Sequence, residues 1–206
     1  AFLILTGGEP LLRPDIYELI RYAADKKFMV VLGTNGTLIN KVNAQKIKDA
    51  GAHGVGISID SMDAVKHNKF RGVSGAWEHS MEAFKILNEV GVDFLIQMSV
   101  SDMNYKEIPD VVAFTEKIGA IAFNLYFLVC TGRGQGNTDI SNEAYEEALK
   151  MLYEEQMKYK GRLMINSKCA PQYKRVVYEN DPDSVYTRTY SGGCSAGTHY
   201  RRISPE

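Results

Sequence analysis

Short apolar runs alternate with longer amphipathic ones along this chain. Apolar runs at 2–5, 28–32, 55–59, 93–100 and 121–129 predict five strands. Between them, apolar residues recur at three- and four-residue spacing, which predicts helices. The segment 15–26 carries Ile16, Leu19, Ile20 and Ala23 on one stripe. Further helices are expected at 40–50, 77–90, 105–118 and from about 141, with Glu143 or Glu146 supporting the last start. Gly51 and Gly91 stand where left-handed caps close helices. Pro109 falls in a first turn, where it is tolerated.

Five consecutive strand–helix units predict a parallel sheet with right-handed crossovers. The strand runs are continuously apolar, as expected when both sheet faces are covered. This pattern alone does not separate an open doubly wound sheet from a closed or partial barrel. Past about Gly161 the chain changes character, and polar turns at Asp181-Pro182-Asp183 and Ser191-Gly192-Gly193 break it into short pieces. Two units are therefore expected, 1–160 and 161–206.

Composition narrows the function classes. The chain has 206 residues, 45% hydrophobic and 24% charged, enough for one sizeable core. A net charge of −1 argues against a nucleic-acid binder, which would carry a basic stripe. No apolar run approaches the roughly 20 residues that cross a bilayer. Three cysteines do not make a disulfide framework, so a reducing, cytoplasmic setting is expected. The four histidines stand at no metal-binding spacing, and His67 reads as a loop or helix-surface residue.

Candidate chemistry concentrates at Thr6-Gly7-Gly8-Glu9-Pro10-Leu11-Leu12, directly after the first strand. The carboxyl end of a strand is where α/β folds keep their ligands. Gly7 and Gly8 let a ligand approach the main chain, and Pro10 fixes the turn. Glu9 adds one negative charge, making a socket suited to an ammonium group. An ordinary strand–helix turn that happens to hold a glutamate fits the same residues.

With these residues in view, the chain resembles the radical S-adenosylmethionine (SAM) superfamily. There, a GGEP segment binds the amino group of the SAM methionine moiety. Thr34-Asn35-Gly36, Ser58-Ile59-Asp60, His67 and Arg71 follow in that family's order, and Gly193-Cys194 and 200–206 resemble the start of a SPASM-type extension. Phe127 to Gly134 and Cys169 to Arg175 resemble the tetrapyrrole-modifying branch, the NirJ-like and alternative haem-biosynthesis enzymes. The resemblance implies a partial (β/α)6 barrel lacking its first unit, followed by the start of a cluster-binding module. It implies SAM and a 4Fe–4S cluster as cofactors, an auxiliary cluster, and ferredoxin or flavodoxin as electron donor. One departure matters: the family's C-x3-C-x2-C cluster motif is absent, so the chain reads as a fragment of a longer enzyme.

Several side chains suit SAM. Ser58 and Asp60 stand two apart at one strand end and face the same way. Either could bond ribose or carboxylate, and Asp60 equally suits a helix cap from Ser61. Arg71, read in a loop before Trp77, can clamp a carboxylate, and the resemblance assigns it the SAM carboxylate. Asn35 could donate to a ligand or simply make an Asn-Gly turn. Asn104 reads the same way. Gln97 suits a polar contact inside the barrel. In the glycine-rich loop Thr131-Gly132-Arg133-Gly134, Arg133 would meet an anionic, carboxylate-rich tetrapyrrole. Cys130 reads as a buried thiol. By resemblance, Cys194 is a SPASM-type ligand and Cys169 serves an auxiliary cluster.

The expected activity is formation of a 5′-deoxyadenosyl radical that abstracts hydrogen from a tetrapyrrole side chain. A peptide or protein substrate is the nearest rival. A cluster-free lyase or aldolase would want a barrel lysine, and lysines such as Lys41, Lys48 and Lys85 fall on helices instead. A non-catalytic barrel is the third reading.

Overall fold

Six parallel strands pair in chain order, each strand hydrogen-bonded to the next. The computed structural model describes residues 1–127 and 140–184, together with Thr187 and Ile203. The strands are β1 (Phe2–Leu5), β2 (Met29–Thr34), β3 (Gly54–Ser58), β4 (Phe94–Val100), β5 (Ala122–Phe127) and β6 (Met164–Lys168). Helices α1 (Ile16–Asp25), α2 (Lys41–Asp49), α3 (Ala64–Arg71), α4 (Ala76–Val90), α5 (Ile108–Lys117), α6 (Asn142–Lys158) and α7 (Tyr173–Asn180) accompany them. The result is a six-strand parallel half-barrel with a helical outer layer.

Local chemistry sets the helix ends. Asn40 and Asn43 cap each other's main chain at the start of α2. The Ser141 hydroxyl accepts the Ala144 N–H at the start of α6. Gly91 closes α4 with a φ of 73°, a left-handed geometry that a side chain disfavours.

The two faces of the sheet differ. Leu32, Val55, Ile57, Ile96, Phe123 and Leu125 point to the helices and are fully buried. They meet Ile20, Ile47, Leu87, Val112 and Leu152 from the outer layer in one core. The opposite, concave face is half-exposed. In β4 burial alternates along the strand, with Leu95, Gln97 and Ser99 on the open side. The expectation that helices cover both faces is thus corrected: one face is core and the other is a cleft wall.

Three further differences follow. Helix α3 occupies a stretch expected to be loop. The helix expected at 105–118 divides into a 3-10 turn, Tyr105–Glu107, and α5. The boundary expected at 160 falls inside the barrel, because β6 pairs with β5 and α7 packs on α6. Any second module begins after α7.

Ile96 makes a test of this core. It is fully buried in β4 between the sheet and the helices. Ile96→Ala is expected to cost about 2–5 kcal/mol, read from denaturant unfolding. A loss below about 1 kcal/mol would mean that the outer face is not the main core.

Candidate functional site

Glu9 sits where β1 ends and a 3-10 turn, Pro10–Leu12, begins. Its Oε1 accepts the Leu11 N–H at 3.1 Å and the Thr34 hydroxyl at 2.7 Å. Its Oε2 accepts the Asn35 N–H at 2.9 Å. The carboxylate is therefore clamped across the carboxyl ends of β1 and β2 by neutral donors. A carboxylate has about four lone-pair sites, so one on Oε2 remains for a further donor. Gly7 has φ 151°, and a Cβ added at Gly7 or Gly8 would meet nothing within 4 Å. The two glycines border open space, while Pro10 is buried beneath them. Asn35 serves the turn: its Oδ1 accepts from the Thr37 N–H and hydroxyl.

Along the concave face, Ser58, Arg71, Gln97, Ser99, Tyr126 and Cys169 line a cavity of about 340 Å³, within the usual range for a small-molecule site. Ser58 and Gln97 are register partners in β3 and β4. Gly56 lies under them, and a Cβ there would stand 2.9 Å from Gln97 Nε2. Glycine at that position lets Gln97 lie across the strand. A larger groove of about 510 Å³ runs between α1 and α2 on the outer layer. It is walled by helix-surface residues such as Arg21 and Tyr22, away from the strand ends.

Asp60 organises the rear of the site and is only 1% exposed. Its Oδ1 accepts the Ser99 N–H at 2.9 Å, and its Oδ2 lies 2.5 Å from Arg71 Nε. The Asp60 N–H donates to His67 Nδ1, and its carbonyl accepts from Asn104 Nδ2 at 2.8 Å. Several expectations are corrected here. Asp60 neither reaches the cavity nor caps a helix, since Asp63 caps α3. Arg71 is the last residue of α3, not a loop residue, and its guanidinium edge is held by Asp60. His67 is fully buried rather than on a surface. Asn104 is also buried and satisfies the Ser101 N–H and the Ser99 carbonyl.

Glu107 had no sequence signal as part of this assembly. Its carboxylate accepts from the Ser61 hydroxyl, the Met62 N–H and Lys66 Nζ. Burial pushes its pKa up, but these bonds outweigh that and hold it below the usual range.

Cys169 lies at the end of β6, exposed on the cavity wall with a left-handed φ of 59°. Arg133, Cys194, Cys130 and the glycine-rich loop lie outside the described residues. Among the described residues, no group of three or more His, Cys, Asp or Glu could hold a metal, and no helix is long and apolar enough to cross a membrane. The chain's three cysteines, 130, 169 and 194, do not stand at C-x3-C-x2-C spacing. They do not fit a catalytic 4Fe–4S cluster held in that manner.

A half-barrel of parallel strands, with an acidic Gly-Gly-Glu-Pro turn at its mouth, defines a class. Residues 1–115 match the radical SAM superfamily, and the chain belongs to that superfamily. It is 36% identical to the AdoMet-dependent heme synthase of Methanosarcina barkeri, over 98% of this chain and 60% of that protein. It is 38% identical to the AdoMet-dependent heme synthase of Nitratidesulfovibrio vulgaris, over 98% of this chain and 57% of that protein. The chain thus spans somewhat more than half the length of these relatives. In fold it is similar to SuiB of Streptococcus suis, solved bound to S-adenosylmethionine and to the precursor peptide SuiA. The TM-score is 0.72 at 18% identity, covering 93% of this chain and 44% of that one.

The buried histidine gives the site a pH dependence. Because His67 Nδ1 accepts the Asp60 N–H, the ring is neutral in the folded chain. Burial holds its pKa down, with Asp60 pulling it up and Arg71 pushing it down. An unfolded histidine titrates near about 6.5, so below that pH the unfolded state binds more protons. This contribution to stability is complete above about pH 6.5 and is lost as pH falls toward the folded value. Unfolding curves between about pH 7.5 and 5 are expected to show stability falling in the wild type and falling less steeply in His67→Gln. Equal slopes would remove His67 as the cause.

Proposed function

We propose that this barrel works in a SAM-dependent radical enzyme that modifies a side chain of a tetrapyrrole in haem or haem d1 type biosynthesis. The carrying observation is the Glu9 carboxylate. It stands beside the open Gly7-Gly8 main chain, bears three neutral donors and pairs with no cation among the described residues. A zwitterionic, cationic nucleoside needs an anion for its ammonium, a cation for its carboxylate and polar contacts for its ribose. Glu9 supplies the first, beside the accessible main chain of Gly7 and Gly8 over the Pro10 turn and the Asn35 amide. Arg71 supplies the second: Asp60 holds its Nε, which leaves the rest of the guanidinium to face the cavity. Ser58 and Gln97 supply the third from adjacent strand ends.

When bound and reduced by one electron, SAM supplies hydrogen-atom abstraction; the chain's residues position it and exclude water. The spacing of this chain's cysteines does not match the ligand motif of a catalytic cluster. The heme synthase relatives support a tetrapyrrole substrate. Its carboxylates suit Arg133 in the glycine-rich segment that follows β5 in sequence, and Cys169, at the end of β6, and Cys194, beyond α7 in sequence, suit an auxiliary iron–sulfur cluster. A cytoplasmic setting, with ferredoxin or flavodoxin as electron donor, fits this chemistry.

Titration calorimetry with SAM tests the pocket. Glu9→Gln keeps the shape and removes the charge. Losing one charge-assisted hydrogen bond, about 1.5–3 kcal/mol, is expected to weaken SAM binding about 10- to 100-fold. Unchanged affinity would remove Glu9 from the ammonium site. For the substrate, the native protein is reconstituted anaerobically with iron, sulfide and SAM. Turnover of a sirohaem-derived tetrapyrrole is expected, and turnover of a peptide but of no tetrapyrrole would overturn that assignment.

A further inference from the structure

Arg71 on the cavity wall and Lys168 at the end of β6 are two cations that differ in one respect. Arg71 is already paired with Asp60. Lys168, the last residue of β6, forms no salt bridge among the described residues. Its placement follows from strand register. Asn124 in β5 stands opposite Asn166 in β6, and their side chains are joined by a 2.9 Å hydrogen bond. These two positions therefore face the same side of the sheet. Two residues further along, Tyr126 stands opposite Lys168, so this pair shares that side. Tyr126 in turn stands opposite Ser99 in β4. Tyr126, Ser99 and the adjoining Cys169 all line the cavity. Lys168 thus belongs to the row of inward positions that ends at the cavity rim.

The side chain is only partly exposed, and strand register sets it beside Tyr126. A cation removed from water without a partner is costly, and an arriving anion relieves that cost. Among the described neighbours in the row, Ser99 and Tyr126 are neutral groups and do not repel a carboxylate.

We propose that Lys168 is a substrate-binding residue whose ammonium receives a carboxylate of the substrate at the β5–β6 side of the cavity. The proposal rests on the reading that this barrel acts on a carboxylate-bearing tetrapyrrole, and it names the contact that recognises it. In this arrangement the two cations divide the work. Arg71, at the β3–β4 side, faces the cofactor's carboxylate, and Lys168 faces the substrate's.

The test uses the native protein, anaerobically reconstituted, with iron coproporphyrin and its methyl ester as probes. Affinity is read from tetrapyrrole absorbance, and SAM affinity from calorimetry. Lys168→Met is expected to weaken binding of the free acid about tenfold or more, through loss of a charge-assisted hydrogen bond. Binding of the ester should change little, Lys168→Arg should recover much of the acid affinity, and SAM affinity should stay within about twofold. Acid affinity unchanged in Lys168→Met, or acid and ester weakened equally, overturns the proposal. A wild-type protein that binds neither tetrapyrrole removes the substrate reading instead. Lys168 is then judged by amine acylation followed by mass spectrometry: protection by propionate upholds the anion site, and equal labelling with and without propionate ends it.

Discussion

One buried carboxylate holds the working end of this barrel together. Asp60 leaves the end of β3 and immediately reaches β4 through the Ser99 N–H and α3 through Arg71. Its own N–H and carbonyl are taken by His67 and Asn104. Every polar group of this residue is therefore satisfied inside the protein. A buried charge without such partners would be costly, whereas this one fixes three elements at once. Arg71 owes its orientation to it, since a long side chain at the end of a helix otherwise samples many rotamers.

The same constraint divides the polar residues into two groups. Asp60, His67, Asn104 and Glu107 lie behind the strand ends and bind protein groups. Glu9, Ser58, Arg71 and Gln97 lie in front of them, with unused hydrogen-bonding capacity. Glu9 belongs to both sets, because two of its three protein bonds, from Thr34 and Asn35, also tie the end of β1 to that of β2. Glycine at 56 belongs to neither by its chemistry, but its missing side chain is what gives Gln97 its place.

Much of this was legible in the sequence. Five strands and the helices α1, α2, α4, α5 and α6 follow from apolar runs and helical spacing, and the Gly-Gly-Glu-Pro turn marked the mouth. What escaped has physical reasons. Helix α3 buries a single residue, His67, so it carries no apolar stripe to read. Strand β6 reads Met-Ile-Asn-Ser-Lys because two of its side chains, Asn166 and Lys168, face the cleft rather than a core. Lys168, at a strand end, is an exception to the expectation that the lysines mostly fall on helices. The bond between Glu107 and Ser61 spans 46 residues, and no local pattern announces a contact of that reach. The 160/161 boundary failed for a related reason: polar composition resembled a change of domain when it was a change of sheet face.

Strand order that equals chain order has a consequence for how the molecule is made. Each new strand from β2 onward finds one neighbour already synthesised. A nascent chain leaving the ribosome can extend its sheet unit by unit. Assembly of this architecture is a growth process with a direction, and that direction is the one in which translation runs.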